Sequence, residues 1–230
     1  MKLIRRTIAL DGNASVSAVV AYPPQFVTGQ STAVILAHGA GNDMESPFLC
    51  AVHEGLAQRG FVAVKFNFPY KERGGRAPDP ARVLEGCYTR VLETIRTDAT
   101  IAAPRIVIGG KSLGGRMASH LAAKGAEVAA LLFLGYPLHP PGKVDRLRTA
   151  HLDAIQVPML FFAGTRDSLS RFDLLQSTID HLRQRGAAVQ LHVIEGGDHS
   201  FDVLKSMRRS RPDVWNEIIS ASAAWLATLA

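Results

Sequence analysis

Arg105-Ile-Val-Ile-Gly-Gly-Lys-Ser-Leu-Gly-Gly-Arg116 decides how the rest of the chain is read. Ile106, Val107 and Ile108 are β-branched and continuously apolar, the pattern of a short strand buried on both faces. Gly109 and Gly110 are expected to break that strand. From Gly114 to Gly125 the chain is rich in Ala, Leu and Met without a breaker, which predicts a helix. Ser112 stands at the apex, inside Gly110-Lys111-Ser112-Leu113-Gly114. This is G-x-S-x-G in the strand–turn–helix context that a nucleophile elbow requires. Such a turn strains the backbone of its central residue and leaves no room for side chains two positions away on either side. The same Gly-Lys-Ser could close a phosphate-binding loop, but the glycine that motif needs five residues earlier is Arg105.

Outward from the elbow, periodicity gives an ordered series of elements. Lys2 to Leu10 and Ala14 to Ala21 alternate like strands around a hairpin turn at Asp11-Gly12-Asn13. Ala33 to Ala37 is a short buried strand running into His38-Gly39-Ala40-Gly41-Asn42. Phe48, Val52 and Leu56 mark a helix, Phe61 to Phe68 a strand, and Pro69 to Pro80 a Gly/Pro-rich loop. Leu84, Tyr88, Val91 and Ile95 form a helical stripe ahead of the elbow. After it come a strand over 128–134, a mixed connection over 138–157 and a strand over 159–163. A helix with Phe172, Leu175, Ile179 and Leu182 follows, then a strand over 188–194 and a last helix from Trp215. Beyond the opening hairpin, strands and helices alternate, which predicts an α/β fold: a mostly parallel sheet with helices on both faces. No linker or repeat divides residues 1–230, so a single domain is expected.

In such a sheet, ligands sit at the carboxyl ends of the strands. Four polar groups fall there: the 38–41 turn, Ser112, Asp167 and His199. A serine hydroxyl needs an adjacent base to act as a nucleophile. His199 can take its proton and return it to a leaving group. Asp167 can hold the imidazole in one tautomer, although an aspartate after Gly164-Thr165-Arg166 can equally cap a helix. The backbone N–H groups of Leu113 and Ala40 are the candidate oxyanion donors, with small Gly39 and Gly41 allowing close approach. His38 reads as a hydrogen-bonder shaping that turn. Lys111, unusual beside a nucleophile, is expected either to pair with a nearby carboxylate, the simpler reading, or to attract anionic substrates. Tyr136, His139 and His151 are placed near the mouth as candidate substrate contacts. His53, His120, His181 and His192 fall within helices or a strand and are read as packing residues.

Composition closes off several classes. With 47% hydrophobic and 20% charged residues, the 230-residue chain is an ordinary globular sequence able to bury a core without staples. The longest apolar run, about Val128 to Leu134, falls far short of the roughly 20 residues a membrane helix needs. Lys2, Arg5 and Arg6 interrupt the only apolar stretch near the N-terminus, so no signal peptide is read there. Cys50 and Cys87 show no metal or redox spacing and are expected as reduced thiols in a cytoplasmic protein. The net charge is +6, with one denser patch at Lys205, Arg208, Arg209 and Arg211. No aromatic interleaving accompanies it, so it reads as a solvated face and no nucleic acid or membrane partner is expected. No metal or organic cofactor is called for, and nothing in the sequence sets the oligomeric state.

These residues carry a resemblance. The chain resembles the α/β-hydrolase superfamily over essentially its whole length, including the Ser–Asp–His order. More narrowly, Gly109 to Arg116, Tyr136 to Lys143, Gly164-Thr165-Arg166-Asp167 and Asp198-His199-Ser200-Phe201 look like a small group. It contains the testis-expressed-type hydrolases and the hydrolase-like subunit of the NSL histone-acetyltransferase complex. In size and layout the chain is also similar to dienelactone hydrolases, which carry a Cys nucleophile where Ser112 stands. The resemblance implies a serine hydrolase acting on short-acyl esters or related small acyl substrates. The alternatives are a non-catalytic scaffold in a protein complex, and a peptidase or acyltransferase on the same three residues. Larger superfamily members insert a lid after the strand that follows the elbow helix. Here about twenty residues, 138–157, occupy that place, too few for a cap domain. A shallow, open pocket is expected, roofed at most by that segment and by Pro69 to Pro80.

Overall fold

A computed structural model describes residues 1–229. Eight strands form one sheet: β1 (Lys2–Ala9), β2 (Ser15–Tyr22), β3 (Ala33–Ala37), β4 (Val62–Phe66), β5 (Ile106–Lys111), β6 (Ala130–Leu134), β7 (Met159–Gly164) and β8 (Val189–Ile194). Their spatial order is β1-β2-β4-β3-β5-β6-β7-β8. The β1/β2 hairpin and the β2/β4 pair are antiparallel, and every later pair is parallel. Helices α1 (Pro47–Gln58) and α6 (Arg211–Ala227) cover one face. On the other lie α3 (Ala81–Arg96), α4 (Leu113–Ala123) and α5 (Phe172–Gln184).

The central strands read as continuous apolar runs because both faces are covered. In β3, Ile35 packs toward α3 and α4 while Val34 and Leu36 pack toward α1 and α6. In β6, Leu131 and Phe133 take the first face, and Leu132 and Leu134 the second. The helical stripes behave likewise: Leu84, Tyr88, Val91 and Ile95 are all buried.

Two details depart from expectation. Gly109 and Gly110 do not break β5, which runs through them to Lys111. They are there for clearance: a Cβ on Gly109 would stand 2.0 Å from the Leu132 carbonyl oxygen, and one on Gly110 2.2 Å from that of Ala37. The segment read as loop from Pro69 opens with a short helix, α2 (Pro69–Glu72), which a proline at its first position permits. Between β6 and β7 the chain holds one 3₁₀ turn, Leu152–Ala154, and no cap domain. Among the described residues no helix is long and apolar enough to cross a membrane. In the basic patch, Arg209 pairs with Glu217 and Arg211 with Asp202. The two cysteines are unpaired, Cys87 buried and Cys50 half-buried.

Burial has a consequence for acid stability. His38 and His53 are fully buried, and loss of hydration pushes both imidazoles down to about 4. In the unfolded chain they take up protons near pH 6.5. Between pH 6.5 and 4 the unfolded state therefore binds more protons, so stability falls as pH falls, by up to about 1.4 kcal/mol per pH unit for each histidine. Denaturant unfolding followed from pH 7 to 4.5 should show this slope, and His53→Gln should make it shallower. Equal slopes in both proteins would overturn the assignment.

Candidate active site

The elbow positions Ser112 by steric exclusion. Its φ of 49° and ψ of −110° lie where a non-glycine residue is strained. The strain is held from both ends. Ser112 N–H donates to the Leu134 carbonyl (3.3 Å), and Arg116 N–H donates to the Ser112 carbonyl (3.0 Å). Gly114 lets α4 start against β3: a Cβ there would stand 2.2 Å from the Ala37 carbonyl oxygen. Tyr88 supports the turn from beneath. Its buried hydroxyl accepts the Gly109 N–H (2.9 Å) and donates to the Gly109 carbonyl (2.6 Å).

Two further loops meet the elbow. Gly164, at the end of β7, lies so close to the chain after β8 that a Cβ would stand 2.2 Å from the Gly197 carbonyl oxygen. Arg166 N–H donates to that same oxygen (2.8 Å). The approach brings Asp167 beside His199. Asp198 shapes the tip: its Oδ1 accepts the N–H groups of Ser200 (2.8 Å) and Asp202 (3.0 Å). Phe201, at a φ of 64°, anchors the loop with a fully buried ring.

The result is a continuous hydrogen-bonded chain. His199 Nε2 lies 2.8 Å from Ser112 Oγ, and His199 Nδ1 lies 2.7 Å from Asp167 Oδ2. An ionised carboxylate only accepts, so Nδ1 carries the proton and the Nε2 lone pair faces the serine hydroxyl. The Asp167 side chain is wholly shielded from solvent, whereas that of His199 keeps 21% of its surface. Asp167 Oδ1 also accepts the Leu169 N–H (2.8 Å), so it caps a turn and orients the histidine at once. It does not cap α5, which starts after Arg171.

The 38–42 turn packs against the elbow, with Gly39 buried beside Lys111 and Ser112. His38 Nε2 accepts the Phe68 N–H (3.1 Å), and His38 Nδ1 donates to the Gly39 carbonyl (2.8 Å). Asn42 N–H reaches the same carbonyl (3.2 Å). In a trans peptide the N–H points opposite to the carbonyl, so fixing the Gly39 oxygen also fixes where the Ala40 N–H points. Tyr70 hydroxyl holds the Ala40 carbonyl (2.9 Å). Among the described residues neither the Ala40 nor the Leu113 N–H is taken by an internal acceptor. Gly41 is exposed, with open space where a side chain would stand.

His38 keeps the turn-shaping role expected of it, whereas other expected contacts change role. His38 is buried with both ring nitrogens engaged, so it builds the turn rather than facing a substrate. Tyr136 and His139 do not line the mouth. Both are buried. Tyr136 hydroxyl donates to the Arg148 carbonyl (2.8 Å), and His139 accepts the Arg171 N–H (3.2 Å) and stitches the 138–148 segment to the turn after Asp167. His151 is likewise occupied, its Nε2 2.7 Å from Ser119 Oγ. Among the described residues Lys111 pairs with no carboxylate. Its Nζ donates to the His199 carbonyl (2.6 Å) and lies 5.5 Å from the Phe201 ring centroid. Tyr70, Tyr88 and Asn67, whose Oδ1 accepts the Met44 N–H (2.8 Å), support the site, and of the three only Tyr88 carries a sequence signal, its place on a helical stripe. No metal-ligating cluster of His, Cys, Asp or Glu occurs among the described residues.

A mostly parallel sheet carrying an elbow serine, with a histidine and an aspartate on later strand ends, defines the alpha/beta hydrolase class. The sequence profile described as "Alpha/beta hydrolase domain" matches residues 30–227, and the chain belongs to that family. It is 28% identical over 152 residues to "Putative protein-lysine deacylase ABHD14B" of Pongo abelii, covering 66% of this chain and 67% of the relative. Two solved structures share the fold at low identity. The propionate-bound thermophilic esterase Est2 of Thermogutta terrifontis superposes with a TM-score of 0.78 at 16% identity, covering 98% of this chain and 94% of the other. A dienelactone hydrolase of Anabaena variabilis superposes at 0.74 with 17% identity, covering 99% and 97%.

Proposed function

We propose that this chain is a serine hydrolase that cleaves short-acyl esters or related small carboxylic derivatives. The observation that carries the reading is the Ser112–His199–Asp167 chain at 2.8 and 2.7 Å on a strained elbow. Ser112 Oγ attacks the acyl carbon as His199 Nε2 takes its proton. Asp167 stabilises the imidazolium that forms. The Leu113 and Ala40 N–H groups stabilise the oxyanion. Collapse of the tetrahedral adduct expels the leaving group with the proton from His199. Water, activated by the same imidazole, then hydrolyses the acyl-enzyme. The family membership and the esterase fold neighbours support hydrolytic chemistry. The narrower likeness to the testis-expressed-type and NSL-subunit group, the cytoplasmic setting and the independence from any cofactor are part of the same proposal.

A second reading is supported by the relative described as a protein-lysine deacylase: an acyl-lysine amide could replace the ester. Both use the same nucleophile. A fluorophosphonate probe should label Ser112, and failure to label would leave a scaffold role. With only residues 135–158 between β6 and β7, the pocket lacks a roof for a long chain. Across p-nitrophenyl esters from acetate to palmitate, kcat/KM should fall at least tenfold beyond a few carbons. A steady rise to the long esters would refute the open pocket.

A further inference from the structure

A recess of about 330 Å³ lies between the turn after β3 and the loop that carries His199. Asn42 bounds it on one side and Ser200 on the other. Phe48 and Trp215 form an aromatic wall, and Lys111 lines its inner end. Lys111 and Ser200 are the chain neighbours of Ser112 and His199, so the recess borders the two loops that carry those residues.

We infer that this recess is a carboxylate subsite: it takes the non-reacting end of the substrate, a short aromatic or apolar body ending in a carboxylate that pairs with the Lys111 ammonium. That the occupant is substrate rests on the serine hydrolase reading; the chemistry of the recess does not.

Three observations carry it. First, Lys111 is a half-buried cation with no carboxylate partner among the described residues. Its Nζ has one carbonyl and the face of Phe201. The Asp202 carboxylate that lines the same recess is already held by Arg211, and Asp198 spends Oδ1 on two backbone N–H groups. Burial lowers the Lys111 ammonium to about 8, and Asp167 and Asp198 oppose that only from a distance. A charge held part-way out of water without a counter-charge is costly, and a ligand carboxylate relieves that cost. Second, every polar group lining the space apart from one carboxylate can donate: the Lys111 ammonium, the Asn42 amide, the Ser46 and Ser200 hydroxyls and the Arg211 guanidinium, and that carboxylate, Asp202, is already paired with Arg211. Third, the wall is aromatic: the Phe48 ring lies 5.4 Å from that of Phe201 and 5.7 Å from that of Trp215, which suits a flat or apolar body.

The test needs no turnover. Isothermal titration of the full-length Ser112→Ala protein at pH 7 compares 3-phenylpropanoate with its neutral isostere 3-phenylpropanamide. The carboxylate should bind at least tenfold tighter. Lys111→Met in the same background should erase the preference, while Phe48→Ala should weaken both ligands alike. Equal affinity for the two ligands, no binding of either at 10 mM, or a preference that survives Lys111→Met would each overturn the inference. The comparison within the Ser112→Ala protein stands even if the Lys111 variant fails to fold. A wild-type Ser112 that resists the fluorophosphonate probe would sink the hydrolase reading instead, and leaves this titration to decide the subsite by itself.

Discussion

Ser112→Ala is expected to lower kcat by about 10⁴-fold or more on a short-acyl p-nitrophenyl ester, with KM changed far less. In the proposed mechanism the hydroxyl forms the acyl-enzyme, and its 2.8 Å bond to His199 Nε2 would make it nucleophilic. His199→Ala should cost about as much, because an unassisted serine hydroxyl is a poor nucleophile at neutral pH. The two residues act as one unit, so the double variant should be little worse than either single one. The fold is not at risk: Ser112 and His199 are only part-buried, and neither belongs to the apolar core. Circular dichroism should therefore be unchanged in all three proteins. Near-wild-type turnover in Ser112→Ala would remove the serine mechanism and leave the alpha/beta hydrolase fold alone.

Much of this was legible in the chain itself, for reasons that differ from residue to residue. The parallel strands are readable because a strand covered on both faces must be apolar at every position, as in Ile106 to Ile108 and Leu131 to Leu134. Ser112 is readable because the elbow demands glycines at fixed offsets. Asp167 and His199 follow from the rule that such sheets carry chemistry at strand ends. What was not legible depends on which surfaces meet. Gly109 and Gly110 look like breakers until the Leu132 and Ala37 carbonyls are seen against them. Tyr88 falls on an ordinary helical stripe, and only the crossing of α3 under β5 puts its hydroxyl on Gly109. Tyr136 and His139 stand one strand from the elbow and look available. The 138–148 segment folds down over them, and backbone groups take their polar atoms. Lys111 was expected to find a carboxylate nearby, but the loop it faces presents a backbone carbonyl.

Asp167→Asn is the sharpest probe of the electrostatics, because it exchanges one carboxylate oxygen for an NH2 donor and removes the charge with almost no change of volume. The turn locks the orientation of the new amide. Asp167 Oδ1 accepts the Leu169 N–H at 2.8 Å, a place only the amide oxygen can fill. The amide nitrogen must then occupy the position of Oδ2, 2.7 Å from His199 Nδ1, and donate to it. That drives the imidazole into the other tautomer, with its proton on Nε2 facing Ser112 Oγ. The base is lost although every heavy atom stays in place. We expect kcat to fall by about 10⁴-fold with the unfolding midpoint nearly unchanged, and fluorophosphonate labelling of Ser112 to slow in parallel. Asp198 is the rival acid in the sequence, but its Oδ1 is bound to the Ser200 and Asp202 N–H groups. Asp198→Asn should accordingly loosen the loop and cost far less in kcat than Asp167→Asn. Turnover near the wild-type level in Asp167→Asn, with Asp198→Asn inactive, would reverse the two roles and place the orienting carboxylate on the histidine's own loop.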